Sequence, residues 1–578
     1  MARARSGEAT PAGAPIHPGR VFDALAALAI AVGATHAAQL AWVSDDAYIS
    51  FRYAKNLTDG LGLVYNVGER VEGYTNFLWT MWCALGIKLQ VAIESWANAS
   101  SIACFALTIA LLVGFSLTRL RASRAAGLGA LVVPVAGLGL AVHRDACVFA
   151  TGGLETTLFT LLAVAGWLLL AAPLPALRGA RGTLAAGVAL GLATLTRPDG
   201  AIFAVLGGAF VLWTAKPRGR ALLAYLGGVL ALAAPFAAWK LVYYGDLLPN
   251  TFYAKSAAAG WYGQGLAYLG LYFAKYWVLL AALPIAGSLL PLRSNPSPQR
   301  AAQALAAAFA FVYTAYVVHV GGDFMFARLL IPATPFWLLT IELGLADWAA
   351  RRRIAANLAA LATVLLVLLM PYPFKGEGWV RGIVNEREFY QDEGRDVARR
   401  AGEDLGRLTA GLPVRVAISG KQAIVAYVSS VPVAIECSTG LTDAFIAHQK
   451  LTRRGRVGHE KSAPFTYLID ARRVHLYIGQ SHILADSLRA YIPVIPLEYG
   501  RLKAMVLTWD PEIMPELIRR GAKVEDFMAD LDRFIAEMPT FPDAMVADVY
   551  AKNRRFYFDG HPDPAREAPF VARLGAAR

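Results

Sequence analysis

The feature that most constrains this chain is a series of apolar blocks, each about 17–25 residues long, filling its first two thirds. An α-helix needs about that length to cross roughly 30 Å of hydrocarbon at 1.5 Å per residue. No single water-soluble core could absorb so many blocks, so this part folds in lipid. Composition agrees: 17% of the residues are charged, against roughly 25% in an ordinary soluble domain. Mean hydropathy is +0.44. The spans expected are 21–42, 96–117, 125–142, 156–172, 184–195, 201–215, 221–243, 266–291, 301–320, 329–349 and 354–371. A shorter piece, 77–91, is placed flat at the interface or half inserted. The first span resembles a signal-peptide core and is read as an uncleaved anchor.

With about 11 spans, the basic groups fall on one side: Arg3/Arg5/Arg20, Arg119/Arg121/Arg124, Arg178/Arg181, Lys216/Arg218/Arg220, Arg293/Arg300 and Arg351/Arg352/Arg353. That side is the cytoplasm. The opposite loops carry most of the acids, among them Asp45, Asp46, Asp145, Asp199, Asp246 and Asp323. The net charge of +13 is thereby accounted for by topology, and no nucleic-acid partner is expected. The four cysteines show neither CxxC spacing nor a disulfide framework.

Composition changes after Pro371. The reading is two parts, a membrane part (1–372) and an extracytoplasmic α/β part (373–578), with the odd span count placing the second outside the cytoplasm. Within it, Glu386–Leu412, Pro511–Arg520, Val524–Met538 and Asp543–Phe556 read as helices. Val414–Ser419, Ile424–Ser429, Val431–Glu436, His475–Gly479 and Ala504–Trp509 read as strands.

The run Ser44-Asp45-Asp46-Ala47-Tyr48-Ile49-Ser50-Phe51-Arg52-Tyr53-Ala54-Lys55-Asn56 follows the first span directly. Ser44 suits a helix N-cap, and acids in the first turn complement the positive helix end. Neighbouring side chains on a helix point roughly 100° apart. The two therefore differ in role: the plain reading is that they merely cap the helix, and the sharper one has one facing a reaction centre while the other caps or binds a cation. Which does which stays open.

The stretch DDAYISFRYAKNLTDGLGLVYNVGERVEGYTNFLW resembles the first outer loop of GT-C membrane glycosyltransferases, in particular the mycobacterial terminal β-(1→2)-arabinofuranosyltransferases. Gly153-Leu154-Glu155-Thr156, Thr196-Arg197-Pro198-Asp199-Gly200, Pro249-Asn250-Thr251-Phe252-Tyr253-Ala254-Lys255 and Gly321-Gly322-Asp323-Phe324-Met325 agree with it. So do Gly440-Leu441-Thr442-Asp443 and Gly458-His459-Glu460-Lys461. The resemblance implies a mainly α, polytopic GT-C fold in a bacterial inner membrane. It also implies a polyprenyl-phosphate sugar donor, with arabinofuranose, another pentose or a hexose as the sugar. The acceptor is an extracytoplasmic glycan, whether polysaccharide, lipid-linked or protein-linked, and an acid of the first loop, Asp45 or Asp46, is the base.

Such a reaction needs a base for the acceptor hydroxyl and positive charge for the departing phosphate. Donor phosphate or sugar contacts are expected from Arg52, Lys55, His143, Glu155, Arg197, Asp199, Lys255, Asp323 and Arg328. Each has a plainer reading: a first-turn acid for Glu155, an interfacial salt bridge for Arg197 and Asp199, snorkelling to headgroups for Lys255 and Arg328, a turn for Asp323. On the acceptor side stand Asp443, His459 and Lys461, which could equally dock the outer part. A divalent ion (Mg, Mn or Ca) on Asp45 or Asp46 is implied by some relatives of this architecture but not demanded. No GxGxxG fingerprint or P-loop is present, and no nucleotide cofactor is expected. Two rivals remain: a transporter or flippase of a lipid-linked saccharide, and an inactive scaffold. Paired broken helices in inverted repeats would favour the transporter, and none is visible in the sequence.

Overall fold

The computed structural model describes residues 18–172, 179–256, 259–290, 296–374, 379–389, 392–420, 422–479 and 487–576. The expected basic groups at Arg3, Arg5, Arg178 and Arg293 lie outside these. The first two thirds are helical. Among the described residues, five helices are long and apolar enough to cross a membrane: Val21–Gln39, Ile93–Ala125, Arg218–Tyr244, Tyr262–Gly287 and Pro298–His319. Thr156–Ala171, Ala180–Thr196, Gly200–Thr214 and Arg353–Leu369 are apolar but shorter, and Thr334–Ala349 packs among them. Small residues let backbones approach in such bundles. A Cβ on Gly187 would lie 2.1 Å from the Tyr225 carbonyl oxygen, and one on Gly228 would lie 2.4 Å from that of Leu184. Helices 180–196 and 218–244 thus touch almost backbone to backbone.

The expected spans are not all continuous α-helices: 266–291 passes through a 3-10 stretch at Trp277–Ala281, and 125–142 is broken outright. Of 125–142 only Ala125, the last residue of the preceding helix, and Val135–Ala141 are helical; Gly127, Gly129 and Pro134 lie between them. Irregular backbone at membrane depth must be satisfied by neighbouring side chains, and here it is. Asn357 accepts from the Val132 amide (2.7 Å) and donates to the Ala130 carbonyl (3.1 Å). Glu342 accepts from the Ala136 amide at 2.7 Å. The piece at 77–91 is a short helix, Phe77–Lys88.

The C-terminal third contains a six-stranded sheet in the order β2-β1-β3-β5-β4-β6. Its strands are β1 (Arg415–Ile418), β2 (Val433–Glu436), β3 (Leu476–Ile478), β4 (Ile495–Tyr499), β5 (Leu502–Val506) and β6 (Lys523–Val524). Strand β1 runs parallel to both β2 and β3; β4 and β5 form an antiparallel hairpin. Residues 424–429, expected as a strand, belong instead to the helix Gln422–Ser429. The reason is topological: adjacent parallel strands need a crossover, normally a helix, and this one joins β1 to β2. Its apolar, partly β-branched sequence suits burial as well as it suits a strand.

Candidate active site

The loop that follows the first helix is clamped at both ends. Val43 bridges to Gly152, with Ser44 N–H donating to the Gly152 carbonyl at 3.0 Å and Gly152 N–H to that of Trp42 at 2.9 Å. Ser44 caps the helix Asp45–Thr58 as expected, accepting from the Asp46 amide. Gly153 takes φ +74°, and a Cβ there would sit 2.7 Å from the Ala47 methyl. The turn before Glu155 therefore presses directly on the first turn of this helix. Further along, Asn76 donates to Glu155 (2.9 Å) and accepts from Ser50 (3.0 Å) and Thr80 (3.1 Å).

The helix has two polar faces. On one, Asp45 is buried and accepts from the amides of Ala423 (3.3 Å) and Ile424 (2.9 Å). It caps the crossover helix of the sheet. Arg52, also buried, donates to the carbonyls of Tyr65 (2.8 Å), Ala426 and Val431 (2.6 Å). Asn66 and Asn250 extend this seam, Asn66 accepting from the Ala434 amide at 2.9 Å and Asn250 donating to the Leu441 carbonyl at 2.8 Å. On the other face lie Asp46, Ile49 and Ser50, which line a cavity of about 280 Å³.

That cavity collects acidic and basic residues of several of the motifs. Glu155, Arg197, Asp199, Lys255, Asp323 and Arg328 all line it with Asp46. Four carboxylates thus face three cations. Arg197 is held tightly, by Glu155 at 2.9 Å and by both oxygens of Asp199 at 3.0 Å; Tyr313 donates to Asp199 at 2.7 Å. Arg328 is held loosely, with Glu155 and Asp323 each at 3.5 Å and Asp46 at 3.8 Å. The Asp46 side chain keeps 32% of its surface exposed. Tyr74, Phe252, Leu248 and Tyr316 supply apolar and aromatic wall.

The other expected residues lie away from the cavity. Arg52 and Asp45 serve the seam, because their polar atoms are taken up by backbone groups of the sheet region. Lys55 pairs with Asp59 at 2.6 Å, one helical turn away and outside the cavity. His143 is buried; it caps the helix Arg144–Val148 and meets Tyr272 at 3.1 Å. Asp443 caps Ala444–His448 and accepts from Tyr467 at 2.8 Å. Lys461 donates to the carbonyls of Tyr253 (2.8 Å) and Ala447, pinning the Lys255 loop to the sheet region. His459 packs edge-on against Phe324 with centroids 5.0 Å apart, and only its neighbours Val457 and Gly458 reach the cavity wall.

Two acids were not anticipated. Glu436, at the end of β2, is pushed up to about 8 by burial, with Asp46 and Asp45 adding to the rise and Thr439 and Lys255 opposing it. Burial and the charge of Asp46 likewise push Glu386 up to about 8, against the pull of Arg456 at 3.7 Å. Nothing in their local sequence marks them; each gains its setting from residues far along the chain. Asn76 was legible as part of the first-loop run but not as a site residue. As for a metal, no three His, Cys, Asp or Glu side chains gather to hold one among the described residues. Asp45 is turned away from Asp46, and a cation on Asp46 would lie against the Arg328 guanidinium. This donor set does not fit a divalent ion.

No family model matches the chain. It is 30% identical over 390 residues to a terminal beta-(1->2)-arabinofuranosyltransferase of Corynebacterium glutamicum, covering 61% of this chain and 55% of that protein. A Mycobacterium tuberculosis protein of the same name is 31% identical over 334 residues, 53% of this chain and 52% of its own. The chain thus spans about half the length of the curated relatives it matches. The structure of ArnT from Cupriavidus metallidurans bound to undecaprenyl phosphate superimposes with a TM-score of 0.52 at 12% identity, over 84% of this chain and 97% of that one. In its apo state ArnT gives 0.51 at 14% identity. The chain therefore has the fold of ArnT and is similar in sequence to the terminal β-(1→2)-arabinofuranosyltransferases.

Proposed function

We propose that this protein is a membrane glycosyltransferase that moves a sugar from a polyprenyl-phosphate donor to a glycan acceptor outside the cytoplasm. Arabinofuranose is the sugar favoured by the likeness to the arabinofuranosyltransferases. The single observation that carries the reading is one half-exposed carboxylate, Asp46, sharing a cavity with Arg328 and Lys255 beside apolar helices. In the reaction, the acceptor hydroxyl oxygen bonds to the anomeric carbon and its proton passes to Asp46. The bond from that carbon to the phosphate oxygen breaks, and the polyprenyl phosphate leaves with the electron pair. Lys255 and Arg328 stabilise the charge that develops on it. Arg197, saturated by Asp199 and Glu155, positions Glu155 rather than binding phosphate. Glu155 and Asp323 are placed to accept from sugar hydroxyls. No step is routed through a metal.

In this reading the chain sits in a bacterial inner membrane, with the cavity and the sheet region (within 373–578) on the extracytoplasmic side. The test is transfer of labelled arabinofuranose from a polyprenyl-phosphate donor to an oligoarabinofuranoside by the purified protein. Product formation that needs Asp46 supports the reading; absence of any product with the intact protein overturns it. Movement of the lipid-linked saccharide across vesicles without transfer would favour a flippase instead.

A further inference from the structure

Two arginines share the cavity wall and differ in how they are held. All three nitrogens of Arg197 lie within 3.0 Å of a carboxylate oxygen. Arg328 is 9% exposed, yet none of its contacts is short. Its Nη1 lies 3.5 Å from Asp323, 3.5 Å from Met325 Sδ and 3.8 Å from Asp46, and its Nη2 is 3.5 Å from Glu155. Its Nε is buried and has no hydrogen-bond partner. A buried donor left unpaired costs about 1–3 kcal/mol. The residue before it, Ala327, is held at φ +63°, in the left-handed region that a non-glycine residue enters at a cost. This guanidinium is therefore fixed in the wall with its bonding capacity unspent.

A phosphate changes that balance. It accepts two parallel N–H bonds from a guanidinium at about 2.7–2.9 Å, shorter than any bond Arg328 makes here. The contact given up most cheaply is the longest, the one to Asp46. We propose that Arg328 couples the two substrates: the donor phosphate must bind first, and by drawing the Arg328 guanidinium off Asp46 it frees that carboxylate to receive the acceptor hydroxyl. The inference rests on the glycosyltransfer reading above and adds an order to it. Arg328 then does two things, binding phosphate and keeping the base masked until donor is present. An enzyme built this way engages the acceptor only weakly without donor. Because coupling between two ligands is reciprocal, acceptor tightens carrier phosphate by the same factor.

The experiment measures binding of an oligoarabinofuranoside to the detergent-solubilised full chain, with and without saturating undecaprenyl phosphate. For the intact protein the expected result is acceptor affinity at least about tenfold tighter with the phosphate present. R328Q is expected to abolish that difference while binding acceptor without phosphate at least as well as the intact protein, because Asp46 is no longer masked. A residue that merely braced the wall could not produce that gain. R328K, which keeps a charge but lacks the fork, is expected to retain a reduced coupling and guards against a folding failure in R328Q. Acceptor affinity that is indifferent to undecaprenyl phosphate in the intact protein overturns the proposal, as does loss of acceptor binding in both variants. If such a protein still transfers sugar, only the order falls. If it transfers none, the glycosyltransfer reading falls with it.

Discussion

The seam between the first loop and the sheet region, and the cavity on the opposite face of the same helix, use similar residue types to different ends. In the seam, Asp45, Arg52, Asn66 and Asn250 meet backbone amides and carbonyls, mostly at 2.6–3.0 Å. Such bonds are saturated and leave little for a ligand. In the cavity, Asp46 and Arg328 face each other across 3.8 Å and Arg328 Nε has no partner. The comparison teaches that saturation separates a buried polar residue that holds the fold from one that is available for chemistry. Arg197 follows the same rule inside the cavity: lining it is not enough.

The comparison breaks most sharply at Asp46. Asp46→Asn should lower transfer by about 10²–10⁴-fold, the usual worth of a positioned base, with the variant still folded and membrane-inserted, as read by labelled-sugar transfer and size exclusion. Arg52→Ala comes next. It removes a donor from three buried carbonyls; Tyr65 keeps Asn56 at 3.0 Å and Ala426 keeps Ser429 at 3.4 Å, and a carbonyl left unpaired costs about 1–3 kcal/mol, so the sheet region should become sensitive to limited proteolysis while the helical part stays protected. Glu436 sharpens the boundary between the two faces through pH. Folded, it holds its proton up to about 8, whereas an unperturbed glutamate titrates at 4.5. Over that window the unfolded chain has given up a proton the folded chain retains, so stability falls as pH rises. The slope is at most about 1.4 kcal/mol per pH unit. Thermal unfolding from pH 5 to 9 should show this decline, and Glu436→Gln should flatten it. Lys55→Ala is the smallest effect: the exposed Lys55–Asp59 pair is worth about 0.3–0.5 kcal/mol, so both stability and transfer should stay within error.

Much of this was readable in the sequence, for physical reasons. Apolar length fixed where helices lie, and it failed at 125–142 because Gly127, Gly129 and Pro134 end helix formation while Asn357 and Glu342, from distant helices, make the irregular backbone tolerable. The division of labour between two adjacent acids followed from helix geometry alone. Which acid faces the cavity did not, since it depends on where the Gln422–Ser429 helix docks, almost 380 residues along the chain from Asp45. Arg52, Lys55 and His143 look like site residues because charge type and proximity to a motif are local properties, whereas saturation by partners is not. Glu386 and Glu436 escaped notice for the same reason.

Replacing each of the two acids with cysteine and labelling intact cells with a membrane-impermeant thiol reagent shows whether they face different regions. Of the native cysteines, Cys83, Cys147 and Cys437 are buried, and Cys104, which is half-buried, is replaced by serine to keep the background low. Asp46→Cys should be labelled from outside and protected by undecaprenyl phosphate, while Asp45→Cys stays unlabelled. Equal labelling of both positions, or labelling of Asp46→Cys only from the cytoplasmic side, would contradict that separation.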